Sequence, residues 1–221
     1  MTIFDIMGPI MIGPSSSHTA GAARLGRIAR RLLGRTPARA EILLHGSFAA
    51  TGRGHGTDKA LTAGLLGMAP DDPRLPQAFD VAREEGMEVT VGSVNLQGAH
   101  PNTALLRLTA PDGRALEVRG ASLGGGRVRV EAIDGLECTF SGDLPTLIIR
   151  NEDRPGQVAE VTGLLSRHGV NIATMQLYRD MRGGLAVMVI ESDQPIDRGV
   201  KERLGSLDGI VRVTYLNMTE E

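Results

Sequence analysis

The sequence predicts an α+β protein of two domains, with a mixed-sheet domain in residues 1–144 and a smaller domain in residues 145–221. Two observations predict this division. Helical and strand-like patterns alternate up to residue 140, and from residue 146 the order of the patterns is βαββαβ. The short polar segment between them, Ser141-Gly-Asp-Leu-Pro145, has the composition of a linker.

Composition narrows the class of protein. The 221 residues suit one large domain or two modest ones, and 41% hydrophobic with 23% charged residues is ordinary for a chain with a buried core. The formal net charge of −2 gives no basic excess for binding nucleic acid or an anionic membrane surface. No run approaches the ~18 apolar residues of a membrane helix. The N-terminus lacks the basic stretch of a signal peptide, so we expect a cytoplasmic protein.

The chain has one cysteine, Cys138, and 29 glycines. A single cysteine excludes an internal disulfide, a thiolate zinc site and the Cys₃–Cys₄ shell of an iron–sulfur cluster. Cys138 lies outside every polar motif, so we expect it to be a buried or neutral thiol. The glycine excess predicts many tight turns and close backbone approaches.

In the first domain, apolar residues at i, i+3, i+4, i+7 and i+8 predict a helix from Leu25 to Leu33 that ends at Gly34. A second helix is predicted over residues 58–66, with Asp58 as its N-cap and Gly67 after its end. The other predicted elements are a helix over residues 75–85 and strands over residues 40–45, 87–94, 103–109, 115–120 and 127–133.

In the second domain, Pro155 suits the first turn of a helix and Gly169 the position after its end. Alternate residues from Val170 to Tyr178 are expected on one face of a strand. The full prediction is strands over residues 146–150, 170–178, 185–190 and 210–216, and helices over residues 155–168 and 195–207. This order of elements is that of a ferredoxin-like unit.

The first polar motif, Gly13-Pro-Ser-Ser-Ser-His-Thr19, directly precedes the first predicted helix. Hydroxyl groups and free backbone N–H groups at a helix N-terminus together suit a carboxylate or a phosphate. A redundant helix cap is the alternative, and it would explain one serine but not the cluster.

The second motif, Gly52-Arg-Gly-His-Gly-Thr-Asp58, places His55 among glycines. These glycines let the backbone turn sharply and leave the imidazole ring with little cover. An open histidine suits acid–base or ligand chemistry. The alternative is a flexible surface loop.

Two weaker motifs follow, His100-Pro-Asn102 and Ser122-Leu-Gly-Gly-Gly126. Three consecutive glycines in a strand-rich stretch indicate close approach to a ligand or to another chain. Of the remaining histidines, His168 is expected to interact with the end of its own helix, while the role of His45 stays open.

Residues 146–219 resemble the ACT domain, a ligand-sensing ferredoxin-like module, through Asn151-Glu-Asp-Arg-Pro-Gly156 and Gly169-Val-Asn-Ile172. The resemblance implies a homodimer contact through this domain and a small allosteric ligand, often an amino acid. The residues expected to bind that ligand are Asn151, Asp153, Gly156 and Asn171. Free N–H groups before the helix favour a carboxylate. Alternatively, Asn151 or Asp153 caps the helix, Asn171 lies in a turn, and the domain only assembles the oligomer.

Taken in order, the polar motifs resemble the β subunit of iron–sulfur-dependent L-serine dehydratase, also called L-serine ammonia-lyase. The matching segments are Ile12-Gly-Pro-Ser-Ser-Ser-His-Thr-Ala-Gly21, Leu44-His-Gly-Ser-Phe48, Gly54-His-Gly-Thr-Asp58, His100-Pro-Asn102 and Ser122-Leu-Gly-Gly-Gly126. Together with the ACT-like segment, the resemblance covers nearly the whole chain. The N-terminal domain of this family looks like the allosteric substrate-binding domain of some phosphoglycerate dehydrogenases.

The resemblance implies deamination of L-serine to pyruvate and ammonia, a step of amino-acid catabolism and gluconeogenesis, with a [4Fe–4S] cluster. An open iron would act as a Lewis acid on the substrate hydroxyl while a base takes the Cα proton. One-chain members carry the cluster cysteines on a later segment that this sequence lacks. A separate α subunit is therefore expected to ligate the cluster, and this chain is expected to ligate no metal.

The resemblance also implies roles for this chain's residues. His18 and His55 are the acid–base candidates, and His55 is preferred as the base because its glycine neighbours leave it open. The residues expected to bind the substrate are Ser15, Ser16, Ser17 and Thr19 for its carboxylate, with Asp58 and Asn102 nearby. Two other classes stay open: a serine-sensing regulatory protein without catalysis, and an assembly scaffold that binds no serine.

Overall fold

The computed structural model describes residues 10–219. The expectation that no signal peptide is present concerns the first residues of the chain, which lie outside this range. The chain divides into two compact units between Gly135 and Leu136. The predicted linker, residues 141–145, forms neither helix nor strand, and the domain boundary at residue 144 stays a prediction. None of the helices within residues 10–219 combines the length and the apolar composition that crossing a bilayer requires.

The first unit begins with a π-helical turn, Ser16–Gly21, that runs directly into α1 (Ala22–Leu33). A 3₁₀ turn, Leu75–Gln77, forms the start of the helix predicted over residues 75–85. The remaining elements of this unit are β1 (Arg39–Leu44), α2 (Gly46–His55), α3 (Thr57–Leu65), α4 (Ala78–Glu84), β2 (Glu88–Ser93), β3 (Thr103–Thr109), β4 (Ala115–Gly124) and β5 (Arg127–Ile133). Strand β6 (Leu136–Phe140) directly follows the division between the units.

The first sheet has the strand order β2-β1-β3-β4-β5-β6. β1 pairs parallel with β2 and antiparallel with β3, and the β3–β4 and β4–β5 pairs are antiparallel. The prediction of a mixed sheet in an α+β protein is therefore confirmed.

Helix α1 buries the predicted apolar stripe, with Leu25, Ile28 and Leu33 fully buried, and Gly34 ends it at a φ of 88°. Helix α1 packs against α3. A Cβ atom on Gly26 would lie only 2.3 Å from the carbonyl oxygen of Leu61, so the two helices contact each other backbone to backbone. This close packing also brings the π-helical turn next to α3.

Strand β6 is missing from the sequence prediction. Asp134 and Gly135 precede it with φ values of 50° and 77°, which is the two-residue Asp-Gly turn typical of a β-hairpin. That dipeptide is the signal that would have identified the strand. Cys138 lies in β6 with 1% of its surface exposed, so its predicted burial is confirmed.

The second unit has the predicted order of elements. They are β7 (Thr146–Glu152), α5 (Gln157–Arg167), β8 (Ile172–Arg179), β9 (Leu185–Ser192), α6 (Arg198–Gly205) and β10 (Ile210–Leu216). The sheet order is β10-β7-β9-β8, and its pairs are antiparallel. Both helices contribute to one core, with Val161 and Leu165 from α5 and Val200 and Leu204 from α6. This is the ferredoxin-like arrangement that the sequence predicts.

Two local predictions in the second unit are wrong. Helix α5 begins at Gln157 after Gly156, whose φ is 94°, so Pro155 lies outside the helix. The strict alternation predicted from Val170 fails because β8 carries a bulge between Ile172 and Thr174. A bulge adds one residue to a strand and exchanges its faces, so Met175, and not Thr174, packs against the core.

Candidate active site

The serine-rich motif forms the π-helical turn that precedes α1. Ser15 is its N-cap, in an extended conformation, and its Oγ accepts a hydrogen bond from the backbone N–H of His18 at 3.2 Å. The side chains from Ser15 to His18 are half-buried, and Thr19 is buried. Capping of this turn therefore requires only Ser15, and the hydroxyl groups of Ser16 and Ser17 remain for other contacts.

His18 points from this turn toward α2. Its Nε2 lies 3.0 Å from Thr51 Oγ1 and 3.3 Å from Ser47 Oγ, while its Nδ1 lies 3.4 Å from Ser15 Oγ. The ring of Phe48 packs against its edge, with 5.2 Å between the ring centroids. His18 is thus held by hydroxyl groups on both ring nitrogens and by one buried aromatic ring.

His55 lies beside His18, at the last position of α2. The ring centroids are 4.9 Å apart, and His55 Nδ1 is 3.2 Å from the carbonyl oxygen of Thr51, one helical turn earlier. The side chain is exposed, in agreement with the expected open ring. The backbone explanation is wrong, because Gly52 and Gly54 are helical and the chain turns only at Gly56, where φ is 68°.

The pKa of His18 is lowered from its ordinary value near 6.5. Burial of the ring is the largest cause, and the neighbouring His55 is the second, since two imidazolium charges repel each other. A hydrogen bond to the backbone of Ser47 opposes both effects by raising the pKa. At neutral pH the His18 imidazole is therefore neutral and able to accept a proton.

Asp58 is not the N-cap of α3. The helix begins at Thr57 with Gly56 in the N-cap position, and Asp58 Oδ1 accepts the backbone N–H of Lys59 at 2.8 Å. A carboxylate in the first turn still favours the helix through its dipole. The structure gives Asp58 this local contact, and a role in substrate binding stays a prediction.

The triple-glycine motif also contacts the serine-rich turn. Gly124, Gly125 and Gly126 have φ values of 97°, 61° and 76°, and they form the tight connection from β4 to β5. The N–H of Gly125 donates to Ser16 Oγ at 3.3 Å, and a Cβ atom on Gly124 would lie 3.7 Å from Ser17 Oγ. The positive φ values favour glycine in this hairpin, and its backbone lies against the side chains of Ser16 and Ser17.

The His100-Pro-Asn102 motif completes the cluster. The N–H of Asn102 donates to His100 Nδ1 at 3.1 Å, and the Asn102 carbonyl accepts the N–H of Ser122 at 3.0 Å. Gly46, at the start of α2, packs so tightly on Pro101 that a Cβ would lie 2.6 Å from its carbonyl oxygen. The motif thus links α2 to the strand that carries the triple glycine.

Buried hydroxyl groups surround this cluster. Among the residues that the structure describes, the buried hydroxyl oxygens of Thr19, Thr57 and Ser122 have no hydrogen-bond partner. An unsatisfied buried polar group costs about 1–3 kcal/mol. A bound polar molecule or a water molecule supplies such hydroxyl groups with the hydrogen bonds that they lack.

Sequence reasoning missed Ser47 and Thr51. With His55 they occur at i, i+4 and i+8, the spacing of one helical face. Reading residues 46–55 as a helix would have revealed that face. Four glycines within residues 46–56 hid the helix, because glycine is a poor helix former.

The two remaining histidines have structural partners. His45 Nδ1 accepts the N–H of Leu96 at 3.2 Å, and it holds the segment after β2. His168 Nδ1 is 2.9 Å from the carbonyl oxygen of Leu164, and its Nε2 is 3.1 Å from Arg203 Nη1. His168 therefore interacts with the end of its own helix, as predicted.

The four candidate ligand residues of the second unit lie around the start of α5 and β8. Asp153 Oδ2 accepts the N–H of Gly183 at 3.0 Å and a hydrogen bond from Arg179 at 3.2 Å, and Asn171 Nδ2 donates to Asp193 Oδ2. Neither Asn151 nor Asp153 caps α5, which begins at Gln157 with Gly156 in the N-cap position and no side-chain cap. The buried Oδ1 of Asn151 has no hydrogen-bond partner within the described residues, and its role in ligand binding stays a prediction.

The residues of this chain do not fit an iron–sulfur cluster. The only cysteine of the sequence, Cys138, is buried in β6, and such a cluster needs several thiolates. Among the described residues, no group of three or more His, Cys, Asp or Glu side chains is placed to hold a metal ion.

A site lined by serine and histidine lies on the mixed-sheet unit, and a ferredoxin-like unit follows it, so the chain is of the class that joins a polar site domain to a ferredoxin-like domain. A family model described as "ACT domain" matches residues 145–209, and one described as "Serine dehydratase beta chain" matches residues 2–85. The second unit is therefore an ACT domain.

Relatives extend this similarity over the whole chain. The sequence is 41% identical over 215 residues to a protein named "Probable L-serine dehydratase, beta chain" from Bacillus subtilis, and the alignment covers 97% of both chains. It is 33% identical over 216 residues to the "L-serine dehydratase, beta chain" of Peptoniphilus asaccharolyticus, again over 97% of both. It is also 28% identical to a D-3-phosphoglycerate dehydrogenase of Archaeoglobus fulgidus, covering 89% of this chain and 37% of that one. The chain belongs to the family of L-serine dehydratase beta chains.

Proposed function

We propose that this chain is the β subunit of a two-subunit enzyme that deaminates L-serine to pyruvate and ammonia. The observation that carries the proposal is the pairing of His18 with His55 beside the serine-rich turn, in a chain of the beta-chain family. A proton acceptor and a carboxylate site next to each other are what removal of the α-proton of an amino acid requires.

The serine-rich turn supplies the carboxylate site. Ser15, Ser16, Ser17 and Thr19 bring hydroxyl groups to the N-terminus of a helical segment that continues through α1. Backbone N–H groups and the positive end of the helix dipole favour an anion there. The unpartnered, buried hydroxyl of Thr19 is available to the same ligand.

His55 is the base and His18 supports it. The contact of His55 Nδ1 with the Thr51 carbonyl requires a proton on Nδ1, because a carbonyl oxygen only accepts. A neutral ring of this tautomer has its lone pair on Nε2, which takes the Cα proton. The proton then passes from His55 to the departing hydroxyl, which leaves as water. The resulting enamine adds water and releases ammonia, which leaves pyruvate.

A separate α subunit carries the [4Fe–4S] cluster in this proposal, because this chain lacks the thiolates to hold one. The beta-chain names of its relatives support a partner subunit. The remaining parts of the proposal are a homodimer contact through the ACT domain, an amino acid as its ligand, and a cytoplasmic location.

The test is co-expression of this chain with a cysteine-bearing α partner under anaerobic conditions, followed by an assay of pyruvate formed from L-serine. We expect a brown, oxygen-sensitive complex that makes pyruvate and a colourless isolated chain that makes none. His55→Ala should abolish turnover in the complex. His168→Gln, which removes a histidine of the ACT domain, should retain it. Near-normal turnover of the His55→Ala complex would remove His55 from the mechanism.

A second candidate is a serine-sensing protein without catalysis. It is favoured by the alignment with the Archaeoglobus dehydrogenase, in which nearly all of this chain matches a minor part of a longer protein of different name. Calorimetry with L-serine separates the possibilities. Serine binding without pyruvate formation in any complex supports the sensor, while the absence of serine binding supports a scaffold.

A further inference from the structure

The hydroxyl group of Thr51 has a defined direction. Thr51 Oγ1 lies 2.9 Å from the backbone carbonyl oxygen of Ser47, and only the hydroxyl can be the donor in that contact. A hydroxyl has a single proton. Toward His18 Nε2, 3.0 Å away, Thr51 Oγ1 is therefore an acceptor, and His18 Nε2 must carry the hydrogen.

The other side of the His18 ring agrees with this assignment. A neutral imidazole with its hydrogen on Nε2 has its lone pair on Nδ1. Ser15 Oγ lies 3.4 Å from Nδ1 and already accepts the backbone N–H of His18. Its own proton is free to point at Nδ1, so every contact of the ring has one donor and one acceptor.

Ser47 does not fix this tautomer by itself. Its Oγ lies 3.3 Å from His18 Nε2, farther than Thr51, and within residues 10–219 no backbone carbonyl accepts its hydroxyl proton. Without the Thr51 oxygen, Ser47 is able to donate to Nε2. The hydrogen of the ring would then move to Nδ1.

We propose that Thr51 is a positioning residue that holds His18 in the Nε2–H tautomer and directs its Nδ1 lone pair toward the serine-rich turn. The tautomer assignment rests on the hydrogen-bond network alone, and its catalytic consequence rests on the proposed function. His18 Nδ1 is then the basic atom that faces Ser15, whereas the neighbouring His55 is an exposed side chain.

The experiment measures the tautomer in the full chain without any partner. Chain labelled with ¹⁵N-histidine is studied by long-range ¹H–¹⁵N correlation at a pH where His18 is neutral, and His18→Gln assigns its signals. We expect the Nε2–H pattern for His18 in the wild type and in Thr51→Ser, which keeps the hydroxyl. Thr51→Val has the same shape without the oxygen, and it should shift His18 wholly or largely to Nδ1–H.

Two outcomes overturn the assignment: an Nδ1–H pattern in the wild type, or an Nε2–H pattern that persists in a folded Thr51→Val chain. The wild-type measurement does not depend on the folding of any Thr51 variant. In the complex with the α partner, Thr51→Val should lower kcat by about 10–100-fold with little change in KM, the effect typical of a supporting residue, and Thr51→Ser should restore it. Unchanged kcat in Thr51→Val despite a changed tautomer would refute the positioning role. An inactive wild-type complex would instead refute the proposed function and leave the tautomer result intact.

Discussion

The imidazole rings of His18 and His55 lie 4.9 Å apart, one in the turn before α1 and the other at the end of α2. Thirty-seven positions of sequence separate them, so only the packing of the π-helical turn against α2 brings them together. At this separation, a positive charge on one ring disfavours a positive charge on the other. After burial of its own ring, the neighbouring His55 is thus the second cause of the lowered pKa of His18.

The first prediction concerns this repulsion. His55→Ala removes one of the two causes that lower the pKa of His18, so the pKa of His18 should rise. An NMR titration of the His18 ring signals in wild type and variant measures the change. His168→Gln is the matched control and should leave the titration of His18 unaltered. A lower pKa for His18 in His55→Ala would contradict the repulsion between the rings.

The second prediction concerns stability against pH. The folded pKa of His18 is below its unfolded value near 6.5, so between the two pKa values the unfolded chain binds more protons than the folded one. The contribution of His18 to stability is thus complete above pH 6.5 and is lost as pH falls toward the folded pKa. Urea midpoints at pH 7.5 and 5.5 should differ less in His18→Gln than in wild type. An equal difference in both proteins would show that His18 is not responsible.

The third prediction concerns the backbone contact between α1 and α3. A Cβ on Gly26 would lie 2.3 Å from the Leu61 carbonyl oxygen, so Gly26→Ala should push the helices apart and cost about 1–3 kcal/mol of the free energy of unfolding. Gly54→Ala is the control in the same unit, since a Cβ there meets nothing within 4 Å. It should leave stability unchanged or raise it by up to about 1 kcal/mol. Equal urea midpoints for the two variants would contradict the close packing.

The fourth prediction concerns Asp153 in the ACT domain. Hydrogen bonds from the Gly183 N–H and from Arg179 lower the pKa of its carboxyl group. Its stabilising effect is therefore present above the unfolded pKa of about 3.9 and is lost as pH falls through the folded pKa. Asp153→Asn should lower the urea midpoint at pH 7 and reduce its further fall below pH 4. Glu202→Gln, which breaks an exposed pair with Arg198 on α6, is the control and should change little.

Much of the fold follows from local pattern. The apolar stripe of α1, the glycines that end α1, α3 and α5, and the βαββαβ order of the second unit depend on neighbours within a few residues. These were predicted correctly. The start of α3 was not, because Asp58 and Gly56 are both plausible caps and only the turn at Gly56 decides between them.

The site was predicted less completely than the fold. Its motifs were recognisable singly, since each combines hydroxyl, imidazole or glycine residues in an unusual density. The contacts between His18 and Thr51, and between Ser16 and Gly125, join residues 33 and 109 positions apart. Such contacts depend on how helices and hairpins pack, which a periodic pattern does not encode.

The burial of Cys138 in β6 has a practical consequence. As the only thiol in the sequence, it reacts with a thiol-specific reagent only when the surrounding structure opens. The rate of labelling therefore measures the opening of this one strand, with no engineered probe. Comparing that rate with and without L-serine, or with and without a partner subunit, would show whether either one stabilises β6, the strand that directly follows the division between the two units.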